Sequence, residues 1–179
     1  MLPKSGDTTL LANWRPIAIL RITYKIFSRL IYQRLMPILN NHQSGDQVGF
    51  RPNCSVEDVF IMYETVVSKC LEWNLPLWTA SLDLRKAFDR IEYHALFQAL
   101  HEQGIDNTYV ALLAKLYADQ SGHLRGSQHF AIERGVKQGD IISPLLFNAG
   151  LEMVMRKWKS AILGHGIQID GGEHLTNIR

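Results

Sequence analysis

The chain is poor in cysteine: Cys54 and Cys70 are its only thiols in 179 residues. They show no metal-ligand spacing and no histidine cluster stands beside them. A disulfide scaffold and a zinc ribbon are therefore excluded, and reduced thiols of an intracellular protein, nuclear or cytoplasmic, are expected. Long apolar runs are also missing. None approaches the roughly 18 residues that span a bilayer, so no membrane association is expected. The opening Met1-Leu2-Pro3-Lys4-Ser5-Gly6-Asp7 lacks the apolar core of a secretion signal. Internal repeats and low-complexity linkers are absent, which argues against a solenoid or a disordered tail.

Hydrophobic residues make up 46% of the chain, enough for a packed core of one compact domain or two small subdomains. The net charge is only +2, but it is unevenly spread. Residues 1–51 carry seven Lys and Arg against two Asp, a net of +5, while residues 52–179 carry twelve against fifteen, a net of −3. A basic front and an acidic rear suit a protein that grips phosphates at one end and a cation at the other.

The periodicities predict an α+β fold, an antiparallel sheet with helices packed on one face. Residues 1–20 read as a β-hairpin turning at residues 5–9. A helix is expected over residues 22–36, with Ile22, Ile26, Phe27, Leu30 and Ile31 inward and Pro37 ending or kinking it. A polar loop fills residues 40–49. Ser55 and Asp58 form a capping-box pattern for a helix to about Trp73. Trp78, Ala80 and Leu82 alternate with Thr79 and Ser81 as in a strand. One helix is expected over residues 86–103, stopped by Gly104, and another capped by Asp106. Two short strands flank Gly126, Ser143-Pro144 starts a helix to about Ile162, and a last hairpin turns at Asp170-Gly171-Gly172.

Two strings carry the chemistry. In Ser81-Leu82-Asp83-Leu84-Arg85-Lys86-Ala87-Phe88-Asp89 an acid closes a strand-like run and an aromatic follows five positions later. A rigid carboxylate at a strand end can hold a divalent ion, and the Leu84 carbonyl adds a hard oxygen. Taken alone, such an aspartate is more often a helix cap. Phe88 sits where a ring could exclude a sugar 2′-hydroxyl, and Asp89 reads as a cap of the following helix. The second string is Gly135-Val136-Lys137-Gln138-Gly139-Asp140-Ile141-Ile142-Ser143-Pro144-Leu145-Leu146-Phe147-Asn148, a glycine-flanked loop running into a helix N-terminus that favours phosphate.

Together these strings resemble the first and second palm motifs of the reverse transcriptases of non-LTR (LINE-like) retrotransposons, which are also similar to group II intron enzymes. Leu2-Pro3-Lys4-Ser5-Gly6-Asp7 with Asn13-Trp14-Arg15-Pro16-Ile17 resembles that family's fingers motif, and Gln47-Val48-Gly49-Phe50-Arg51-Pro52 the next one, although Asn53-Cys54-Ser55 stands where relatives often have Gly-Arg-Ser. The resemblance implies fingers over residues 1–76 and an incomplete palm over residues 77–179. It implies Asp83 as the catalytic, metal-binding acid, with Leu84 beside it and Mg²⁺ as cofactor. Lys4, Arg15, Leu84, Phe88, Gln138 and Gly139 would meet the deoxynucleoside triphosphate. Gln47, Gly49, Arg51, Ser143, Pro144 and Asn148 would meet nucleic acid. Arg21, Lys25 and Arg29, four apart on one helix face, are read as contacts to an RNA template or DNA primer, with a plain solvated face as the competing reading. Tyr117-Ala118-Asp119-Gln120 imitates the family's Tyr-Ala-Asp-Asp turn but precedes the Gln-Gly loop and lies in a helical stretch, so it is rejected. The true turn belongs after His174-Leu175-Thr176-Asn177-Ile178-Arg179. The expectation is an RNA-directed DNA polymerase fragment, inactive alone. A non-catalytic RNA-binding or maturase-like remnant is the alternative. A viral RNA-dependent RNA polymerase ranks below both, since such enzymes usually lack an aromatic at Phe88.

Overall fold

Leucines 35, 39, 96, 100, 113 and 146 are fully or almost fully buried, and they mark where the chain folds onto itself. The computed structural model describes residues 2–3, 6–10, 13–15, 17–123, 128–170 and 173–178. Two compact units emerge, Met1–Asn41 with Lys86–Gly150, and His42–Arg85 with Leu151–Arg179. This division follows packing. It does not address the functional boundary expected near residue 76.

In the first unit, β1 (Leu2–Pro3) pairs antiparallel with β2 (Trp14–Arg15), Leu2 facing Arg15. The opening hairpin is present but shorter than expected, since residues 17–20 are not strand; between its arms Asp7 accepts from the Thr9 backbone and hydroxyl. Helix α1 spans Ile22–His42 and runs through Pro37. Pro37 has no N–H for the carbonyl four residues back, a cost of about 3 kcal/mol in a helix interior. Leu35 and Leu39, both at 0% exposure, bury on either side of it and hold the helix together. Of the end or kink expected at Pro37, the end is thus corrected. So is the expected inward face: Ile22, Ile26 and Leu30 are more than half exposed. Ile31 is buried as expected, and Ser28, Leu35 and Leu39 turn inward with it.

The expected helix over residues 86–103 is two helices, α3 (Ala87–Arg90) and α4 (Tyr93–Glu102). The chain breaks at Ile91, whose extended backbone presents its carbonyl to Gly135 at 2.8 Å. Gly104, at φ +79°, turns the chain out of α4, and the Ile105 N–H closes back on the Leu100 carbonyl at 3.0 Å. Asp106 caps α5 (Asn107–Tyr117) by accepting from the Thr108 N–H at 2.7 Å. β3 (Ser121–Gly122) and β4 (Phe130–Ala131) form the second antiparallel pair. The turn expected at Gly126 between them lies outside the described residues. Helix α6 (Ser143–Ala161) begins with Ser143-Pro144 as expected. Residues from α1, α4, α5 and the start of α6 share one apolar core.

In the second unit, Ser55 and Asp58 make the reciprocal capping box that opens α2 (Val56–Glu72). β5 (Ile167–Asp170) and β6 (Glu173–Leu175) form the last hairpin. Its expected Gly171-Gly172 turn lies outside the described residues. Glu152, at 0% exposure, accepts from Ser44 Oγ at 2.7 Å and from Arg156 Nε at 3.0 Å, which anchors the loop after α1. Lys159 and Asn177 both reach the Asp46 carboxylate. A cavity of about 490 Å³ lies within this unit, walled by Tyr63 and Val66 of α2, residues 76–80 and the β5–β6 hairpin with its tail.

The strand expected at Trp78–Leu82 is absent from the described residues. Trp78 and Leu82 are 96% and 87% exposed. Alternation prepares a segment for a sheet, but a strand exists only when a neighbour takes its N–H and C=O groups. The fold is accordingly α+β, with three two-stranded antiparallel ribbons among the described residues where one sheet was expected. No described helix is long and apolar enough to cross a membrane.

Candidate active site

The Gln-Gly loop is held from three sides within the first unit. Val136 donates its N–H to the Phe88 carbonyl at 2.7 Å and Gly135 to the Ile91 carbonyl at 2.8 Å. These two bonds fasten the loop to α3 and the residue that follows it. Gly135 has φ +91°, and a Cβ there would meet the Asp89 Cα and the Phe88 carbonyl oxygen at 2.9 Å. Only glycine allows that approach. On the other side, Ala18 donates its N–H to the Gln138 carbonyl at 2.9 Å. Gly139, at φ +106°, leaves room for the Ala18 carbonyl, which a Cβ would meet at 3.1 Å.

Phe88 is half-buried and stacks on Phe147 of α6, ring centroids 4.8 Å apart and planes 14° from parallel. The stack fixes the ring. Asp89 does not cap a helix. It lies inside α3, and its Oδ1 accepts from Gln138 Nε2 at 2.7 Å. The cap reading of Asp89 is therefore corrected. Its carboxylate is instead engaged by the Gln138 amide, which approaches it across the loop.

Beneath the loop lies a polar cluster that sequence reasoning missed. The Asp140 carboxylate, only 4% exposed, accepts from Tyr24 Oη at 2.9 Å and from Ser28 Oγ. Lys137 Nζ donates to Tyr24 Oη at 3.2 Å and lies over the Tyr24 and Tyr117 rings. Burial, followed by the Asp140 charge, pushes the Tyr24 phenol far above its ordinary range. Burial pushes Tyr117 up as well, and holds the Lys137 ammonium below its usual value while Asp140 opposes that fall. The missed signal was positional: Tyr24 and Ser28 continue the row of Ile31, Leu35 and Leu39 at helical spacing. Polar residues extending a buried row announce a buried partner.

Other expected residues fall as follows. Lys4 lies outside the described residues. Arg15 occupies β2 opposite Leu2. Arg21, Lys25 and Arg29 are exposed along the start of α1, with the Arg29 guanidinium 5.5 Å from the Tyr32 ring centroid. Ser143 and Asn148 are 1% and 2% exposed at the start of α6, whereas Pro144 is half-buried. In the second unit Gln47 is buried and donates to the Gly49 carbonyl at 3.0 Å. Arg51 turns its guanidinium onto the carbonyls of Ser44 and Gln47 at 2.9 and 3.0 Å, shaping its own loop. Asp83 and Leu84 lie outside any helix or strand, both exposed, and no described residue offers Asp83 a hydrogen bond or ion pair. Tyr117 ends α5, buried, which fits the rejection of Tyr117-Ala118-Asp119-Gln120 as a catalytic turn.

Among the described residues no group of three His, Cys, Asp or Glu could hold a metal ion. The exposed, uncommitted Asp83 carboxylate with the adjacent Leu84 carbonyl nevertheless fits Mg²⁺, which takes one or two carboxylates and completes its shell with water and substrate phosphates.

The Gln-Gly turn is thus fastened beside a stacked aromatic and leads directly into α6. The chain belongs to the reverse transcriptase family: the profile described as "Reverse transcriptase (RNA-dependent DNA polymerase)" matches residues 2–173. It is 32% identical over 160 residues to the retrovirus-related Pol polyprotein from type-1 retrotransposable element R2 of Popillia japonica, covering 87% of this chain and 22% of that protein. It is 30% identical over 148 residues to the probable RNA-directed DNA polymerase from transposon X-element of Drosophila melanogaster, covering 76% of this chain and 16% of that protein. Protein YkfC of Escherichia coli is 29% identical over 147 residues, covering 82% of this chain and 36% of that protein. The chain thus spans between about one sixth and one third of these relatives' lengths.

Proposed function

We propose that this chain is the fingers and part of the palm of a retrotransposon RNA-directed DNA polymerase. Its substrates are a deoxynucleoside triphosphate, an RNA template and a DNA primer. The observation that carries the reading is the fastening of the Gln138–Gly139 turn to Phe88 and Asp89 by backbone and side-chain hydrogen bonds. Such a loop is rigid before any ligand arrives, as a nucleotide platform must be. In the reaction the primer 3′-hydroxyl attacks the α-phosphate, a phosphodiester forms and pyrophosphate leaves. Asp83 and the Leu84 carbonyl would hold Mg²⁺, which would supply neutralisation of phosphate charge.

The chain's own residues bind and select. Lys4 and Arg15 take the triphosphate. Gln138 and Gly139 meet the nucleotide, and Phe88, stiffened by Phe147, lies under the sugar and excludes a 2′-hydroxyl. Arg21, Lys25 and Arg29 contact template or primer from the exposed side of α1. Gly49 and Pro144 face nucleic acid, while the buried Gln47, Ser143 and Asn148 and the inturned Arg51 shape the surfaces around them. One carboxylate is a thin metal site, so the 179-residue chain taken alone is expected to bind nucleotide without turning it over.

The test uses the natural protein that carries this chain, assayed for dNTP and rNTP incorporation on an RNA template. Asp83→Asn should abolish incorporation, and Phe88→Ala should admit ribonucleotides at least about tenfold better, as expected when a steric exclusion is removed. Incorporation that survives Asp83→Asn overturns the mechanism. The exposed basic row of α1 favours a second reading, RNA binding without polymerisation. Salt-dependent RNA affinity with no incorporation by that protein would select it.

A further inference from the structure

Resting on the nucleotide role of the Gln-Gly turn, we infer that Asp89 is a positioning residue that locks the Gln138 amide so that it offers the ligand a hydrogen-bond acceptor. The ionised carboxylate can only accept, so the Gln138 NH₂ must face it. The bond is 2.7 Å long and half-buried. The main chain on either side of that amide is also fixed, by Ala18 on the Gln138 carbonyl at 2.9 Å and by α3 on Val136 at 2.7 Å. With backbone and Nε2 both committed, rotation of the side chain is restrained and Oε1 is the atom left to face outward. The turn then reads a donor on the nucleotide, a hydroxyl or an N–H, and rejects an acceptor there. Gln138 alone, able to flip, would read neither.

Positioning is separable from simple electrostatics. Removing Asp89 takes one negative charge from the neighbourhood of an anionic ligand, which by itself tightens binding. Loss of positioning weakens it. The two effects have opposite signs.

The experiment is titration calorimetry of the 179-residue chain with dATP and Mg²⁺, with thermal melting of every variant. Asp89→Asn should weaken dATP binding about tenfold, the usual worth of a hydrogen bond to a charged group. Its melting midpoint should stay close to that of the parent. The double variant Asp89→Asn with Gln138→Glu keeps the net charge and restores the bond with donor and acceptor exchanged. The amide introduced at position 89 donates to the carboxylate introduced at position 138. Affinity should recover to within about threefold of the parent, since the second oxygen of that new carboxylate is again an outward acceptor. If the parent binds dATP and Asp89→Asn binds it equally or more tightly, the inference is overturned and the nucleotide reading stands. A double variant no better than the single one, or an affinity loss matched by a lowered midpoint, also overturns it. If the parent binds no dATP, the nucleotide reading itself falls and takes the inference with it.

Discussion

The Gln-Gly string and the segment that opens the Asp83 string behave in opposite ways. Residues 135–140 are bonded to three separate parts of their unit, and Asp140 beneath them is 4% exposed. Residues 76–84 include the start of the other string, and there Trp78 and Leu82 stand almost wholly exposed and Asp83 makes no hydrogen bond or ion pair with a described residue. Phe88 and Asp89, at the end of that string, are by contrast bonded to the Gln-Gly loop. Both segments have the right residues. Only the first has neighbours within its unit that satisfy its backbone. Rigidity at a site is therefore a property of the partners of a motif and not of the motif, since unpaired backbone groups stay with water at little cost until another segment takes them.

Substitutions in the two segments put this contrast to the test. The largest effect should come from the core under the Gln-Gly loop. Leu100→Ala or Leu146→Ala removes a fully buried side chain and should cost about 2–5 kcal/mol in urea denaturation. Trp78→Ala, in the open segment, should change stability by less than about 0.5 kcal/mol. Equal losses at both places would abolish the distinction. Next comes Gly135→Ala, which meets a forbidding φ and two backbone atoms of α3 and should cost about 3 kcal/mol. If it were tolerated, the close approach of loop and α3 would be wrong.

Asp140→Asn should follow at about 2 kcal/mol, because it weakens the bonds from Tyr24 and Ser28 in a buried site. The same cluster sets a pH dependence. Tyr24 and Tyr117 have folded pKa values raised above their ordinary 10.0. Above about pH 10 the unfolded chain loses these protons while the folded chain keeps them, so stability should fall with rising pH. Lys137, lowered by burial, acts in the other direction: its contribution rises with pH between its folded value and the ordinary 10.5. Tyr24→Phe should flatten the decline above about pH 10 in melts recorded from about pH 8 to 11.5. An unchanged decline would remove Tyr24 from the cluster. The smallest effect belongs to Asp83→Asn, which should leave stability within about 0.5 kcal/mol of the parent, since the carboxylate holds no described neighbour. A large loss there would show the open segment to be anchored after all.

Much of the fold was legible because its signals are local. The Ser55–Asp58 box, the Asp106 cap, the Gly104 stop and the Ser143-Pro144 start each bond or bend the chain within a few residues of themselves. Errors arose where the deciding contact was distant in sequence. Pro37 failed to stop α1 because Leu35 and Leu39 are buried beside it. The face of α1 was misjudged because Asp140, 112 residues from Ser28, draws Tyr24 and Ser28 inward. Asp89 reads as a cap in the sequence because its partner Gln138 lies 49 residues away.

Residue identities and short spacings were enough for the family, the order of its motifs and the helices with their caps. Folding in three dimensions settled the rest: which face of α1 is inside, that Asp89 serves Gln138, and that the Gln-Gly loop is fixed while the Asp83 segment is open. Those outcomes turn on whether a distant group completes a hydrogen bond or covers an apolar surface, and no local pattern carries that information.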